Sequence, residues 1–173
     1  MLIRTRPLWA VAVVAVAGVA LAGAAGPGPA GADEVQPSTV EDYAYPGAER
    51  VLAERGVRLV SGDGHIALAD CGPNPDAPPA DLILVQTLDF DLPGDPNFCF
   101  RATGAVGHLA LEISKVYLIR GESDRTVFAK VETLDDPAVV DVEQVDPREW
   151  QPVGIGQSRG DATVLELRFP TAP

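Results

Sequence analysis

From Val57 to Phe169 apolar and polar residues alternate with a period of two, interrupted at short intervals by Gly, Pro, Asp and Ser. That period sends one face of each segment to a core and the other to water, as antiparallel strands require. Val57-Arg58-Leu59-Val60 and His65 to Cys71 read as strands joined in a hairpin by Ser61-Gly62-Asp63-Gly64. Asp81 to Leu88 and Phe98 to Thr103 follow, separated by the turn residues Leu92-Pro93-Gly94-Asp95-Pro96-Asn97. Leu109, Leu111 and Ile113 alternate with His108, Ala110 and Glu112, but Val116 and Leu118 fall on the opposite parity. Keeping both sets inward predicts a bulge or break near Ser114-Lys115. After a turn at Gly121-Glu122-Ser123-Asp124, Val127, Ala129 and Val131 face inward from the next strand. Asp135-Asp136-Pro137 turns the chain, and Val140 and Val142 alternate with Asp141 and Glu143. A last hairpin runs from Trp150 to Ile155, through Gly156 to Asp161, into a strand where Leu165, Leu167 and Phe169 alternate with Val164, Glu166 and Arg168.

Only one segment repeats at helical spacing. Pro46 suits a first helical turn, Ala48, Val51 and Leu52 share a face, and Gly56 supplies a left-handed stop, which predicts a helix from Pro46 to Arg55. Gly72 to Ala80 carries four prolines, so it lacks the donors of a ladder strand and is expected on the surface. One helix followed by about eight or nine short strands predicts a mainly β protein, an antiparallel β-sandwich with one short N-terminal helix. A parallel α/β fold is excluded, because helices do not alternate with strands.

Residues 1–32 change the picture of where this domain works. Arg4 and Arg6 precede an apolar run from Leu8 to Gly26, and Pro27, Pro29 and Ala30-Gly31-Ala32 follow, the layout of a secretory signal peptide cut after Ala32. The run is long enough to span a bilayer. Its Ala/Gly richness, and the absence of any Lys or Arg between the run and Arg50, favour cleavage over a stable membrane anchor. The expected organisation is a signal peptide over 1–32, a polar, mobile leader over 33–42 and a single β-rich domain over 43–173, secreted from the cell. Beyond Ala32 the chain holds 25 acidic and 11 basic residues, a net charge of −14. Such a surface repels a phosphate backbone, so nucleic acid is excluded as a partner.

Export also decides how the cysteines read. Cys71 and Cys99, the only two, are expected to form a disulfide in an oxidising compartment. Closing that loop stabilises by about 3 kcal/mol in the chain-entropy picture.

Catalytic chemistry has few carriers. Ser61, Asp63 and His65 combine hydroxyl, carboxylate and imidazole, but Gly62 and Gly64 interrupt them and Asp63-Gly64 suits a turn tip, so the turn reading is preferred to a relay. His108 opens a strand with a solvated face. No catalytic, cofactor-binding or metal residues are assigned, and no cofactor is expected. With only His65 and His108, in separate hairpin-like segments and without short ligand spacing to the cysteines, a structural zinc site is not expected. Asp89, Asp91 and Asp95 share one loop and offer the oxygen ligands calcium prefers. Their spacing is not that of an EF-hand, which leaves solvated turn residues as the preferred reading and calcium binding open. Arg159-Gly160-Asp161 and the glycine-rich Gly154 to Gly160 are read as turn chemistry; the latter precedes a strand rather than the helix a phosphate cradle needs. Tyr43, Tyr45, Tyr117, Phe128 and Trp150 are candidates for an exposed sugar platform.

Tyr45-Pro46-Gly47-Ala48, Gly62-Asp63-Gly64-His65 and Phe98-Cys99-Phe100-Arg101-Ala102-Thr103-Gly104 resemble segments of an uncharacterised family of small secreted actinobacterial proteins. The resemblance spans most of the domain and implies secretion and a single β-rich fold, with no activity to carry over. The functional expectation is a non-enzymatic extracellular binding or cell-surface domain whose partner is an extracellular protein or glycan. The alternative is an extracellular hydrolase with a site around His65 or His108.

Overall fold

The computed structural model describes residues 43–169; the expected signal peptide and leader lie outside the described residues. One helix, α1 (Ala48–Arg55), is followed by ten strands: β1 (Arg58–Gly62), β2 (Ile66–Ala69), β3 (Leu82–Thr87), β4 (Asn97–Ala102), β5 (Gly107–Ile113), β6 (Val116–Arg120), β7 (Val127–Thr133), β8 (Asp136–Val145), β9 (Trp150–Pro152) and β10 (Ala162–Phe169). A short 3-10 turn, Gly154–Gln157, lies between the last two. The strands form two five-stranded antiparallel sheets, in the orders β1-β5-β10-β7-β8 and β2-β4-β3-β6-β9. The sandwich-like, mainly β architecture is therefore the one the alternation predicts. Among the described residues no helix is long and apolar enough to cross a membrane.

The core lies between the sheets. Ile83, Val85, Phe98, Phe100 and Ile119 from the second sheet pack in one cluster with Leu59, Leu109, Leu111, Ala129, Val131, Leu167 and Phe169 from the first. A second, smaller cluster of Leu82, Leu84, Cys71 and Cys99 lies on the opposite face of β3 and β4. Here the disulfide Cys71–Cys99 forms as expected, with Cα atoms 5.3 Å apart. The proline-rich loop after Cys71 takes no part in either ladder, yet its Pro78 is buried. Arg120 fixes it there by donating to the carbonyls of Pro78, Pro79 and Leu82 at 2.9 to 3.2 Å.

Several connections differ from the sequence reading. β1 and β2 do not form a hairpin: Ser61 to Gly64 carries the chain from one sheet to the other. The same holds for β9 and β10, read as the last hairpin, because β9 pairs with β6 and β10 with β5 and β7. The break at Ser114-Lys115 is another such crossing, made with Lys115 in the left-handed region at φ 52°. Within β6 the register slips at Tyr117, so Ile119 rather than Leu118 joins Val116 in the core. In β10 it slips at Leu165, so Val164 is buried with Leu167 and Phe169 instead of facing water. In β8 the valines turn outward. Val131 pairs with Asp141 and Ala129 with Glu143, and residues directly opposite share a face, which leaves Val140 and Val142 exposed.

The helix begins two residues later than expected. Gly47 occupies the left-handed region at φ 74°, with Pro46 in the turn before it. At the other end Gly56 (φ 70°) donates its N–H to Leu52, and a Cβ there would lie 2.7 Å from Leu92. Both its conformation and this contact require glycine. Val51 of the helix and Tyr45 before it pack against the main core, while Ala44 bridges to Ser61 and covers part of the free edge of β1.

Candidate functional site

The described surface offers two notable concavities, both lined by arginines. The larger, about 570 Å³, lies between α1 and β2 and includes Arg50, Arg55, Glu54 and Asp70, so its charges balance. Arg55 is held inward there, donating to the Asn97 carbonyl at 2.9 Å with its guanidinium 5.2 Å from the Phe98 ring centroid.

The second, about 270 Å³, is lined by Ala80, Arg120, Gly121, Arg148 and Trp150, with no carboxylate among them. Its geometry follows from the β6–β9 pairing, which sets Arg120 directly opposite Trp150 on the outer face of the sheet. The Arg120 guanidinium lies 5.8 Å from the centroid of the Trp150 ring, within the range of a cation–π contact. Among the described residues its hydrogen-bond partners are all carbonyls, and it has no ion-pair partner. Burial pushes its pKa below the ordinary arginine value, but a guanidinium stays charged at neutral pH. Trp150, on the short edge strand β9, is 45% exposed.

Arg148 reaches the same place from the turn between β8 and β9. That turn is docked by the Arg148 N–H on the Glu122 carbonyl and the Gly121 N–H on the Glu149 carbonyl, each at 3.0 Å. A Cβ on Gly121 would collide with the carbonyl of Asp146, so only glycine permits this docking. Arg148 itself is exposed, in the left-handed region at φ 63°. Among the described residues it has no ion-pair partner, unlike Arg58, Arg101, Arg125, Arg159 and Arg168.

The residues singled out in the sequence are dispersed. Asp63 accepts the backbone N–H of His65 at 2.9 Å, an Asx turn, so its carboxylate caps the crossing instead of orienting the imidazole. His65 is exposed beside Gly104. His108 stands on the outer face of the first sheet, its Nε2 3.5 Å from Glu166, which Lys130 also meets at 2.7 Å and Arg168 at 3.7 Å. Burial alone would raise the Glu166 pKa. The Lys130 hydrogen bond and charge, helped by His108 and Arg168, outweigh it and hold the carboxyl below its usual range.

The aspartates of the loop before β4 do not converge. Asp89 pairs with Lys115 at 3.0 Å and Asp95 accepts the Asn97 N–H at 2.8 Å. Among the described residues no group of three or more His, Cys, Asp or Glu is placed to hold a metal ion. Arg159 of the Arg-Gly-Asp tripeptide is tied to Asp141. Of the aromatic candidates, Phe128 is buried, Tyr45 and Tyr117 are half-buried, and Tyr43 and Trp150 are exposed. The exposed pair do not form one platform: Tyr43 lies against β1, at the edge of the first sheet, and Trp150 is on the edge of the second.

Sequence reasoning found Trp150 but not Arg120 or Arg148. Arg120 follows Leu118 at strand spacing, which marks it as sharing that residue's face; no local signal indicates that β9 pairs alongside. Comparison of the chain with models of known protein families and with curated proteins finds no match to either.

Proposed function

We propose that this protein is exported from the cell and acts there as a binding module rather than a catalyst. The observation that carries the binding part is the concavity at the β6–β9 edge, where two arginines without carboxylate partners flank a half-exposed tryptophan on an otherwise acidic chain. A guanidinium fixed by backbone carbonyls beside a half-exposed indole presents a ligand with a positive charge and an aromatic face already in place. Export rests on the layout of residues 1–32, and the Cys71–Cys99 bridge supports it because disulfides persist in oxidising compartments.

Expression of the full chain with analysis of the medium tests both parts. Intact mass should give a protein that begins at Asp33 and carries no free thiol. That protein should co-sediment with washed envelopes of the producing cells, and Trp150→Ala should lower the bound fraction at least tenfold. Retention inside the cell with residues 1–32 attached, or equal sedimentation of the variant, would overturn the reading.

A further inference from the structure

The chemistry of this concavity narrows the ligand. We propose that it binds a uronate residue of an acidic polysaccharide, an inference that rests on the binding reading above.

Volume sets the first limit. At about 270 Å³ the concavity falls just under the roughly 300–1,000 Å³ of sites that enclose drug-sized ligands. It has room for one ring of a larger molecule whose neighbouring units remain outside. The indole selects the ring. Trp150 is flat, apolar and 45% exposed, a surface on which the C–H face of a pyranose stacks while its hydroxyls stay in water. Arg120 is held by three carbonyls and cannot swing away, so one positive group is fixed beside the indole. Arg148 supplies a second, free to approach from the turn. Two guanidinia lining one concavity suit a carboxylate: Arg120, its terminal nitrogens already bonded to loop carbonyls, supplies fixed positive charge, and Arg148 supplies the paired N–H donors by which arginine engages a carboxylate most specifically.

Net charge sets the second limit. A body of −14 beyond Ala32 repels a polymer that is charged at every unit, whereas carboxylates separated by neutral sugars place a single charge in the concavity. The ligand is therefore a heteropolysaccharide with spaced uronates. A free peptide carboxylate shares the anion but offers no pyranose face to Trp150.

The test uses protein recovered from the medium and a tetrasaccharide alternating glucuronate with N-acetylglucosamine, followed by calorimetry. In a chain that begins at Asp33 Trp150 is the only tryptophan, so a change in indole fluorescence on titration reports this site alone. The tetrasaccharide should bind, and its methyl ester, which keeps the rings and loses the charge, should bind at least tenfold more weakly. Arg148→Asn, which tolerates the left-handed backbone, should weaken binding at least tenfold with an unchanged unfolding midpoint, and Trp150→Ala should abolish the saturable phase. Equal affinity for acid and ester, an unaffected Arg148→Asn variant, or tighter binding of a peptide with a free C-terminal carboxylate would each overturn the proposal. Envelope binding without tetrasaccharide binding overturns this inference alone; loss of both overturns the binding reading as well.

Discussion

Ser158 ends the 3-10 turn Gly154–Gln157 in the left-handed region at φ 61°, with its N–H on the Ile155 carbonyl at 3.1 Å. An L-residue there is strained by about 1 kcal/mol relative to glycine, the residue such caps select. Ser158→Gly should therefore raise stability by somewhat less than about 1 kcal/mol, since glycine also adds entropy to the unfolded chain. Urea denaturation should show a higher midpoint with an unchanged slope; a lower midpoint would mean that the Ser158 hydroxyl contributes more than the strain. Arg148 has the same backbone conformation at the concavity. Strain tolerated at an exposed arginine is consistent with a position kept for what its side chain reaches. At this scale the sequence exposes chemistry only where a residue's own type announces it. Trp150 stands out in any reading, and so do Cys71 and Cys99. Arg148 is one basic residue in a polar turn until the docking of that turn on Gly121 and Glu122 brings it beside Arg120.

The elements themselves were largely readable, because a period of two needs no knowledge of partners. Leu109, Leu111 and Ile113 are buried as their alternation requires, and so are Val127, Ala129 and Val131. What the period cannot carry is a register slip. One extra residue, Tyr117 in β6 or Leu165 in β10, exchanges the faces of everything beyond it. β8 failed differently: its apolar parity faces water, and its inner face holds Glu143, bound to Gln151 and Gln157 at 2.9 and 3.2 Å, and Asp141, paired with Arg159. Inward charges on an edge strand deter pairing with another chain, and here they also tie the edges of the two sheets together. Glu166 on β10 is the element-scale determinant of pH behaviour. Its carboxyl titrates below its usual range, so its stabilising effect is complete above the unfolded-chain value near pH 4.3 and is lost as pH falls through the lower folded value. Stability followed from pH 6 to pH 2 should decline across that window. Glu166→Gln should flatten part of the decline while lowering stability at pH 6, and an unchanged profile would show that the charges around Glu166 contribute nothing net.

Across the whole molecule, the Cys71–Cys99 bridge ties the loop after β2 to the outer face of β4 within one sheet. It anchors the start of the loop whose Pro78 and Pro79 carbonyls hold Arg120, and Arg120 in turn lies against Trp150. Reduction should lower global stability by about 3 kcal/mol, measured as a fall in the thermal midpoint on adding a reductant. It should also alter Trp150 fluorescence under conditions where the protein is still folded. If the emission stays constant while the midpoint falls, the bridge acts on stability alone and does not extend to the concavity. Strand order was the least readable level, because nothing local distinguishes the crossing at Ser61 to Gly64 from a hairpin: the same Gly and Asp residues serve both.

That order has a temporal consequence. Of the eight strand pairings only β3–β4 and β7–β8 join neighbours in the chain, while β1 waits for β5, and β5 for β10. Each distant pairing must close a long loop before its contacts are gained, which places such topologies at the slow end, milliseconds to seconds. Until β10 has emerged the first sheet can exist only as two separate pairs, β1–β5 and β7–β8, so its closure waits for the last of the ten described strands.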